Sequence, residues 1–426
     1  MKRINKFALA AISVAVAASL AACGKKEEPK KEAAAPAAPA AAQDMIVKIG
    51  HVGPTSGQIA HLGKDNENAA RMAVEEANAK GITIGGKKIK LEFVPEDDAG
   101  DPKQGTAVAQ KLVDAKVIGV VGHLNSGTSI PASAIYNSAG IPQITPSATN
   151  PKLTAQGFKG VFRTVATDVA QGGAIGTYAV KGMGGKKIAI IDDKTAYGVG
   201  LADEAEKAIK AAGGTVVIRD ALANEKEQDF KGVLTKVKAK SPDVIMFGGM
   251  DAQMGPMMKQ MKALGIKAKA IGGDGAQSGE FLKLAGDAAE GVVATQAGLP
   301  KEKMPQGQAF YDKYKAKYGI DVQAYAPYTY DAANILIAAM QKADSTDPAK
   351  IIDTIRAGTF TGIAGSYTYD EKGDVKDGAV TLFVVKGGKW ETAQVVGGPK
   401  AAAAPTAAPA VAPAAPAAAP APAKKP

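Results

Sequence analysis

An α/β architecture of two lobes with parallel sheets follows from three features of the 426-residue chain. Short apolar runs rich in β-branched residues alternate with amphipathic stretches, the pattern of strands joined by crossover helices. The alternation starts once near residue 46 and again near residue 187. The body between the two Ala/Pro-rich ends, 44–398, is longer than the roughly 250–300 residues at which one core divides into domains.

The first series opens with a strand at 46–52 and a helix at 65–79 that buries Ala69, Ala70, Met72, Ala73, Val74 and Ala77. A strand at 88–94, a helix at 102–114 and a buried strand at 117–121 follow. A helix from about 127 to 139 and a strand near 141–145 close the series. Gly85-Gly86, between 82–84 and 89–93, reads as a hairpin turn. The second series has strands at 187–191, 215–219, 244–247 and 269–271. Its helices are expected at 198–212, ended by Gly213-Gly214, and at 229–240 and 253–264. Helices at 305–318, 323–341 and 348–357 come next, and the body finishes in β-like runs at 366–369, 380–385 and 389–395. Sheets of this kind bind ligands outside the carboxyl ends of their strands, so candidate chemistry is sought there.

The ends carry different information. Lys2, Arg3 and Lys6 precede an uncharged stretch at 7–20, the layout of a secretory signal. That stretch is shorter than the roughly 20 residues a permanent membrane helix needs. It runs into Leu20-Ala21-Ala22-Cys23-Gly24, which resembles the lipobox of bacterial lipoproteins, with Cys23 as the lipidated residue. Cys23 is the sole cysteine, so no intrachain disulfide supports the fold. Residues 1–22 are thus expected to be a signal peptide and 23–43 a flexible tether, with 399–426 a disordered Ala/Pro-rich tail. In polyproline form the tether reaches on the order of 60 Å, at about 3.1 Å per residue.

The net charge of +10 does not point to nucleic acid. The ends hold 10 of the 52 basic and 3 of the 42 acidic residues, which leaves the body at +3, with its bases dispersed among acids.

Catalytic motifs are missing. Gly198-Val199-Gly200 opens a helix, but Asp203 stands where a dinucleotide site needs its third glycine, and Asp192-Asp193 before it would repel phosphate. Gly81 to Lys87 has P-loop spacing, but Lys88 replaces the Mg²⁺-binding hydroxyl. His51, His61 and His123 have no zinc-protease spacing, and Gly-x-Ser-x-Gly does not occur. Asp97-Asp98 and Asp192-Asp193 read as turn residues, with calcium ligation the alternative. No cofactor or metal is expected, and the chain is not expected to be an enzyme.

Several separated segments resemble the periplasmic leucine/isoleucine/valine-binding proteins of branched-chain amino-acid ABC transporters. They are Glu96-Asp97-Asp98-Ala99-Gly100-Asp101-Pro102-Lys103-Gln104, Gly122-His123-Leu124-Asn125-Ser126 and Pro131-Ala132-Ser133. Further matches are Ile144-Thr145-Pro146-Ser147-Ala148-Thr149, Lys194-Thr195-Ala196-Tyr197-Gly198-Val199-Gly200 and Tyr369-Asp370-Glu371-Lys372-Gly373-Asp374. The resemblance implies two Rossmann-like lobes joined by three crossovers that close on ligand like a flytrap, the type I periplasmic binding fold. Crossovers are expected near 163–164, 295–297 and 361–365. Lobe 1 is then 44–163 plus 296–361, and lobe 2 is 164–295 plus 362–398.

It also implies roles. Ser126 would bind a ligand α-carboxylate, and the Ser147 carbonyl would accept from its ammonium. Thr149 would offer hydroxyl and amide, and Ala148 lies between the two. Tyr197 and Asp274 would come from the second lobe, with Asp274 pairing the ammonium one methylene shorter than the family's usual glutamate. Leu62 and Met250 stand where branched-chain-specific members often carry tyrosine. From position alone, Ser126, Ser147 and Thr149 are equally readable as helix caps. The expected activity is capture of a branched-chain or other aliphatic amino acid by a periplasmic, lipid-anchored monomer that delivers it to an ABC-transporter permease. The alternatives are a binder of an amide, a urea-like compound or an aromatic carboxylate, and an exported α/β enzyme.

Overall fold

The computed structural model describes residues 44–398. The expected signal peptide at 1–22, the expected lipidation site Cys23, the expected tether and the expected C-terminal tail lie outside the described residues.

The first series is β1 (Met45–Gly53), α1 (Ala60–Lys80), β2 (Ile82–Ile84), β3 (Lys87–Asp97), α2 (Pro102–Asp114), β4 (Val120–Gly122), α3 (Ser126–Ser138), β5 (Gln143–Thr145), α4 (Lys152–Ala155) and β6 (Val161–Arg163). The second is α5 (Asp168–Thr177), β7 (Lys187–Asp192), α6 (Ala196–Ala211), β8 (Thr215–Ala221), α7 (Lys231–Ala239), β9 (Val244–Gly248), α8 (Asp251–Ala263), β10 (Lys269–Gly272), α9 (Gly279–Ala285) and β11 (Val293–Gln296). Then come α10 (Gly307–Tyr318), α11 (Ala326–Lys342), α12 (Pro348–Ala357), β12 (Phe360–Thr361), β13 (Ser366–Tyr367), β14 (Ala379–Lys386) and β15 (Lys389–Gly397).

Local chemistry explains several boundaries. Asp101 accepts hydrogen bonds from the Lys103 and Gln104 amides, and Pro102 sits at the first position of α2, where a missing N–H costs nothing. Gly85 and Gly86 both have positive φ, and β2 pairs antiparallel with β3 across them, as a two-residue hairpin requires. Residues 188–191 of β7 and all of β9 are buried and free of polar side chains, the mark of parallel strands covered on both faces. Each fully buried isoleucine there contributes about 1.5–3 kcal/mol.

The strands form two large sheets. The first has the order β2-β3-β1-β4-β5-β6, all parallel except the β2 edge. In the second, β15-β14-β11-β10-β9-β7-β8, the members β11-β10-β9-β7-β8 are parallel and β14 and β15 antiparallel. Strand order reverses between β1 and β4 in one sheet and between β7 and β9 in the other, so each has a crevice at those carboxyl ends.

The chain passes between the sheets after β6, after β11 and again before β14. The last passage comes later than the 361–365 expected. β13 pairs with β12, Tyr367 and Tyr369 pack in the core of the first sheet, and Asp374 bonds Arg163 at the end of β6. Residues 366–374 therefore belong with the first lobe, and the passage falls between Asp374 and Ala379.

Candidate functional site

The expected site residues all lie just past carboxyl ends of strands, either those flanking the two crevices or, for β5 and β10, the next strand along. Leu62 is in the first turn of α1, after β1. Ser126 opens α3 after β4, and Ser147, Ala148 and Thr149 follow β5. From the second lobe, Tyr197 is in the first turn of α6 after β7, Met250 precedes α8 after β9, and Asp274 follows β10. Every one of them is more than nine-tenths buried.

The lobes are in contact here. Asn150 Nδ2 donates to the Ala196 carbonyl across the gap at 2.5 Å. A Cβ on Gly200 would collide with the Asn150 amide, and one on Gly198 would collide with Asp193 and with the Gly248 carbonyl. The Gly-x-Gly that suggested a nucleotide loop thus serves close approach, within the second sheet and between lobes. The paired aspartates are turn residues: Asp192 Oδ1 accepts from Lys194 N, Asp193 Oδ1 from Thr195 N, and Asp97 Oδ1 from Thr55 N and Ala99 N.

In the first lobe, the position before α3 is taken by Asn125, whose side chain makes no capping bond. Ser126 is the first helical residue, and its hydroxyl accepts from Asn150 N at 3.3 Å. Its amide and that of Gly127 are among the donors a helix start leaves without an intrahelical acceptor. They create a partial positive charge at the end of β4. Ser147 Oγ donates to the Leu124 carbonyl at 2.9 Å, which ties the two binding loops together. None of Ser126, Ser147 and Thr149 acts as a side-chain helix cap.

Arg163 braces this loop. Fully buried, it donates to the Ala148 carbonyl, to the Asn150 carbonyl at 3.2 Å and to Thr154 Oγ1 at 3.0 Å, while its Nε meets Asp374 Oδ1 at 2.6 Å.

The second lobe and the passage leading into it are acidic. Asp274 Oδ1 accepts from Tyr197 OH at 2.8 Å and Oδ2 from Tyr325 OH at 2.9 Å. Its amide donates to Gln171 Oε1, which also accepts from Thr295 Oγ1, and Gln171 Nε2 donates to Asp168 Oδ1. Asp168 Oδ2 and Thr149 Oγ1 are buried without a hydrogen-bond partner, although Thr149 lies near enough to lower the Asp168 pKa. Burial, and then the Asp274 charge, push Asp168 up to about 8. Burial also raises Asp274, against the two tyrosine hydroxyls that hold it down. Two enclosed acids, one with an unpartnered oxygen, are chemistry suited to a cation.

The apolar wall draws on both lobes. Leu62 and Leu124 share one buried cluster with Tyr197, Leu201, Met250 and Tyr325. Asp168 and Tyr325 were not foreseen in the sequence. Asp168 falls in a segment given no element, although an acid in the first turn of a helix is a recognisable start signal. Tyr325 immediately precedes α11, and only its tertiary contact with Asp274 distinguishes it from a core tyrosine. A surface depression of about 610 Å³ is lined by Glu76, Tyr330 and Asn334 on the outside of the first lobe and contains none of these residues.

Comparison with known proteins identifies the family and the fold. The family model for periplasmic binding proteins matches residues 46–389. A leucine-, isoleucine-, valine-, threonine- and alanine-binding protein of Pseudomonas aeruginosa is 37% identical over 339 residues, 79% of this chain and 89% of that protein. The Leu/Ile/Val-binding protein of Escherichia coli is 37% identical over 332 residues, 78% of this chain and 88% of that one. Among solved structures, a leucine-binding protein of Thermotoga maritima has a TM-score of 0.76 at 29% identity, covering 82% of this chain and 98% of that one. A branched-chain amino-acid transporter substrate-binding protein of Streptococcus pneumoniae, in complex with isoleucine, has a TM-score of 0.75 at 29% identity and covers 83% and 99%. A solute-binding protein from R. palustris in complex with benzoate reaches 0.74 at 23% identity, covering 82% and 96%, so the fold alone does not select a ligand. By its match over most of its length, the chain belongs to the periplasmic leucine/isoleucine/valine-binding protein family.

Proposed function

We propose that this protein encloses a branched-chain or other aliphatic amino acid between its lobes and delivers it to an ABC-transporter permease without chemical change. In this reading it works as a periplasmic monomer held at a bacterial membrane by lipid on Cys23. The observation that carries the ligand class is the pair of buried carboxylates, Asp168 and Asp274, with Asp168 Oδ2 unpartnered. A zwitterion fits both sides of the cleft: its carboxylate takes the Ser126 hydroxyl and amides at the start of α3, and its ammonium takes Asp168, Asp274, the Ser147 carbonyl and Thr149 Oγ1. Leu62 and Met250 then flank an aliphatic side chain. A benzoate or urea-like ligand would bring no cation to the two enclosed acids and would gain nothing from their ionisation.

Closure follows from differential affinity, because only a ligand that touches both lobes favours the closed state. A lipid tether in the permease's own membrane would raise the local concentration of loaded protein. Calorimetry with leucine, alanine, benzoate and urea tests the reading. Leucine binds, and Ser126→Ala weakens it by at least tenfold, about 1.4 kcal/mol. Binding of benzoate together with indifference to leucine would overturn the amino-acid reading.

A further inference from the structure

We propose that His61 and Asp251 form a latch between the lobes that pins the pocket walls Leu62 and Met250 together and sets how long an enclosed ligand stays. The inference rests on the reading of the cleft given above. His61 lies in the first turn of α1 and Asp251 is the first residue of α8, and their side chains meet across the gap with Nε2 2.6 Å from Oδ2. Each partner is the chain neighbour of a wall residue, His61 of Leu62 and Asp251 of Met250. Fixing the pair therefore fixes the spacing of the walls. A weaker bridge sits beside it, from Gln253 Nε2 to Gln58 Oε1 at 3.4 Å.

The second-lobe half is built in advance. Asp251 is fully buried and its Oδ2 also accepts from Ser278 Oγ. Ser278 caps α9 by accepting from Phe281 N, and its carbonyl accepts from Trp390 Nε1 at 2.9 Å. The first-lobe half is accessible, since the His61 side chain keeps 22% of its exposure. A rigid, enclosed carboxylate thus meets a histidine that can leave it.

Protonation makes the contact an ion pair. Burial draws the His61 pKa down, but Asp251 from α8, Glu280 from α9 and Asp65 on its own helix outweigh it, and the net shift is upward from 6.5. On opening, His61 loses Asp251 and returns toward its ordinary value. The latch is therefore fully present below about pH 6.5 and is lost as pH rises through the raised value. This sign is opposite to that of Asp168, whose ionisation favours an ammonium. The test therefore compares variant with wild type at each pH rather than following either alone.

Release of radiolabelled leucine from the full chain, measured by rapid filtration, provides the readout, and Trp390, the sole tryptophan, gives a fluorescence signal at the end of the same hydrogen-bond chain. At pH 6, His61→Gln raises the off-rate by about tenfold, the loss expected of one charge-assisted hydrogen bond. At pH 9 the two proteins differ by less than about twofold. Asp251→Asn, which keeps a partner for Ser278, behaves the same way. An unchanged off-rate at pH 6, or an equal increase at both pH values, overturns the latch. If the wild type binds no amino acid, the functional reading falls instead. The latch is then read from lobe separation by small-angle scattering, where wild type and His61→Gln must differ at pH 6 and not at pH 9. Equal separation at pH 6 overturns it.

Discussion

The two walls of the cleft handle charge in opposite ways. The first lobe keeps the Arg163 charge behind the wall: Arg163 is enclosed under the 148–150 loop and donates to that loop's carbonyls, to Thr154 and to Asp374, while the cleft receives uncharged hydroxyls, amides and a carbonyl. The second lobe and its entry strap place acidic side chains in the cleft itself, as Asp274 and Asp168, which a ligand cation can draw into their ionised form. Amides and hydroxyls suit an anion without the desolvation cost of a buried cation in the site, whereas a ligand ammonium is best met by a formal negative charge. Under the proposed reading, the contrast favours a ligand whose ammonium and carboxylate are attached to the same carbon.

Breaking the concealed charge should have the largest effect. Arg163→Met leaves the Ala148 and Asn150 carbonyls without their donor and is expected to lower stability by about 3–5 kcal/mol. Urea unfolding measures the loss, and an effect under 1 kcal/mol would mean the loop holds itself.

Breaking the displayed charge acts on selectivity instead. Asp274→Asn should weaken leucine by roughly 30–100-fold, the worth of a buried charge-assisted hydrogen bond, and leave its 2-oxo acid analogue within about threefold. Calorimetry with the two ligands gives the ratio, and an equal loss for both would remove Asp274 from the ammonium side.

A change of pH breaks nothing and only tilts the stability of the ligand-free protein. Asp168, at about 8 against an ordinary 3.8, holds its proton in the folded protein over a range where the unfolded chain has lost it. Its contribution to stability is full below pH 3.8 and is lost as pH rises through about 8. The ligand-free melting temperature should therefore fall between pH 5 and pH 8, and saturating leucine should flatten that slope. A ligand-free Tm that rises across this range would show Asp168 to be ionised throughout.

The sequence was legible where periodicity and family pattern agree. The helices at α2 and α12, the β2–β3 hairpin and the β7–α6 junction fall where expected, because caps, paired glycines and apolar runs are local signals. The segment between β5 and β7 was not legible. α5 carries Gly172, Gly173 and Gly176, each unfavourable in a helix by about 1 kcal/mol. Gly172 and Gly176 are required because any Cβ there would strike α6 at Ala205 and at Ala208 or Ile209. Tertiary contact overrides propensity, and Asp168 was hidden with the helix it begins. The third passage was misplaced for a related reason, since Tyr367, Tyr369 and Asp374 are held in the first lobe by partners far away in the chain.

The interleaving of the lobes also bears on how the chain is made. The first core takes in α11 and α12 from late in the sequence, and the second sheet is not complete until β14 and β15 are added at 379–397. Neither half can finish burying its apolar surface while the ribosome still holds the last strands. Native structure is thereby postponed until 379–397 are available, and a chain that lacks them keeps apolar surface open to a chaperone.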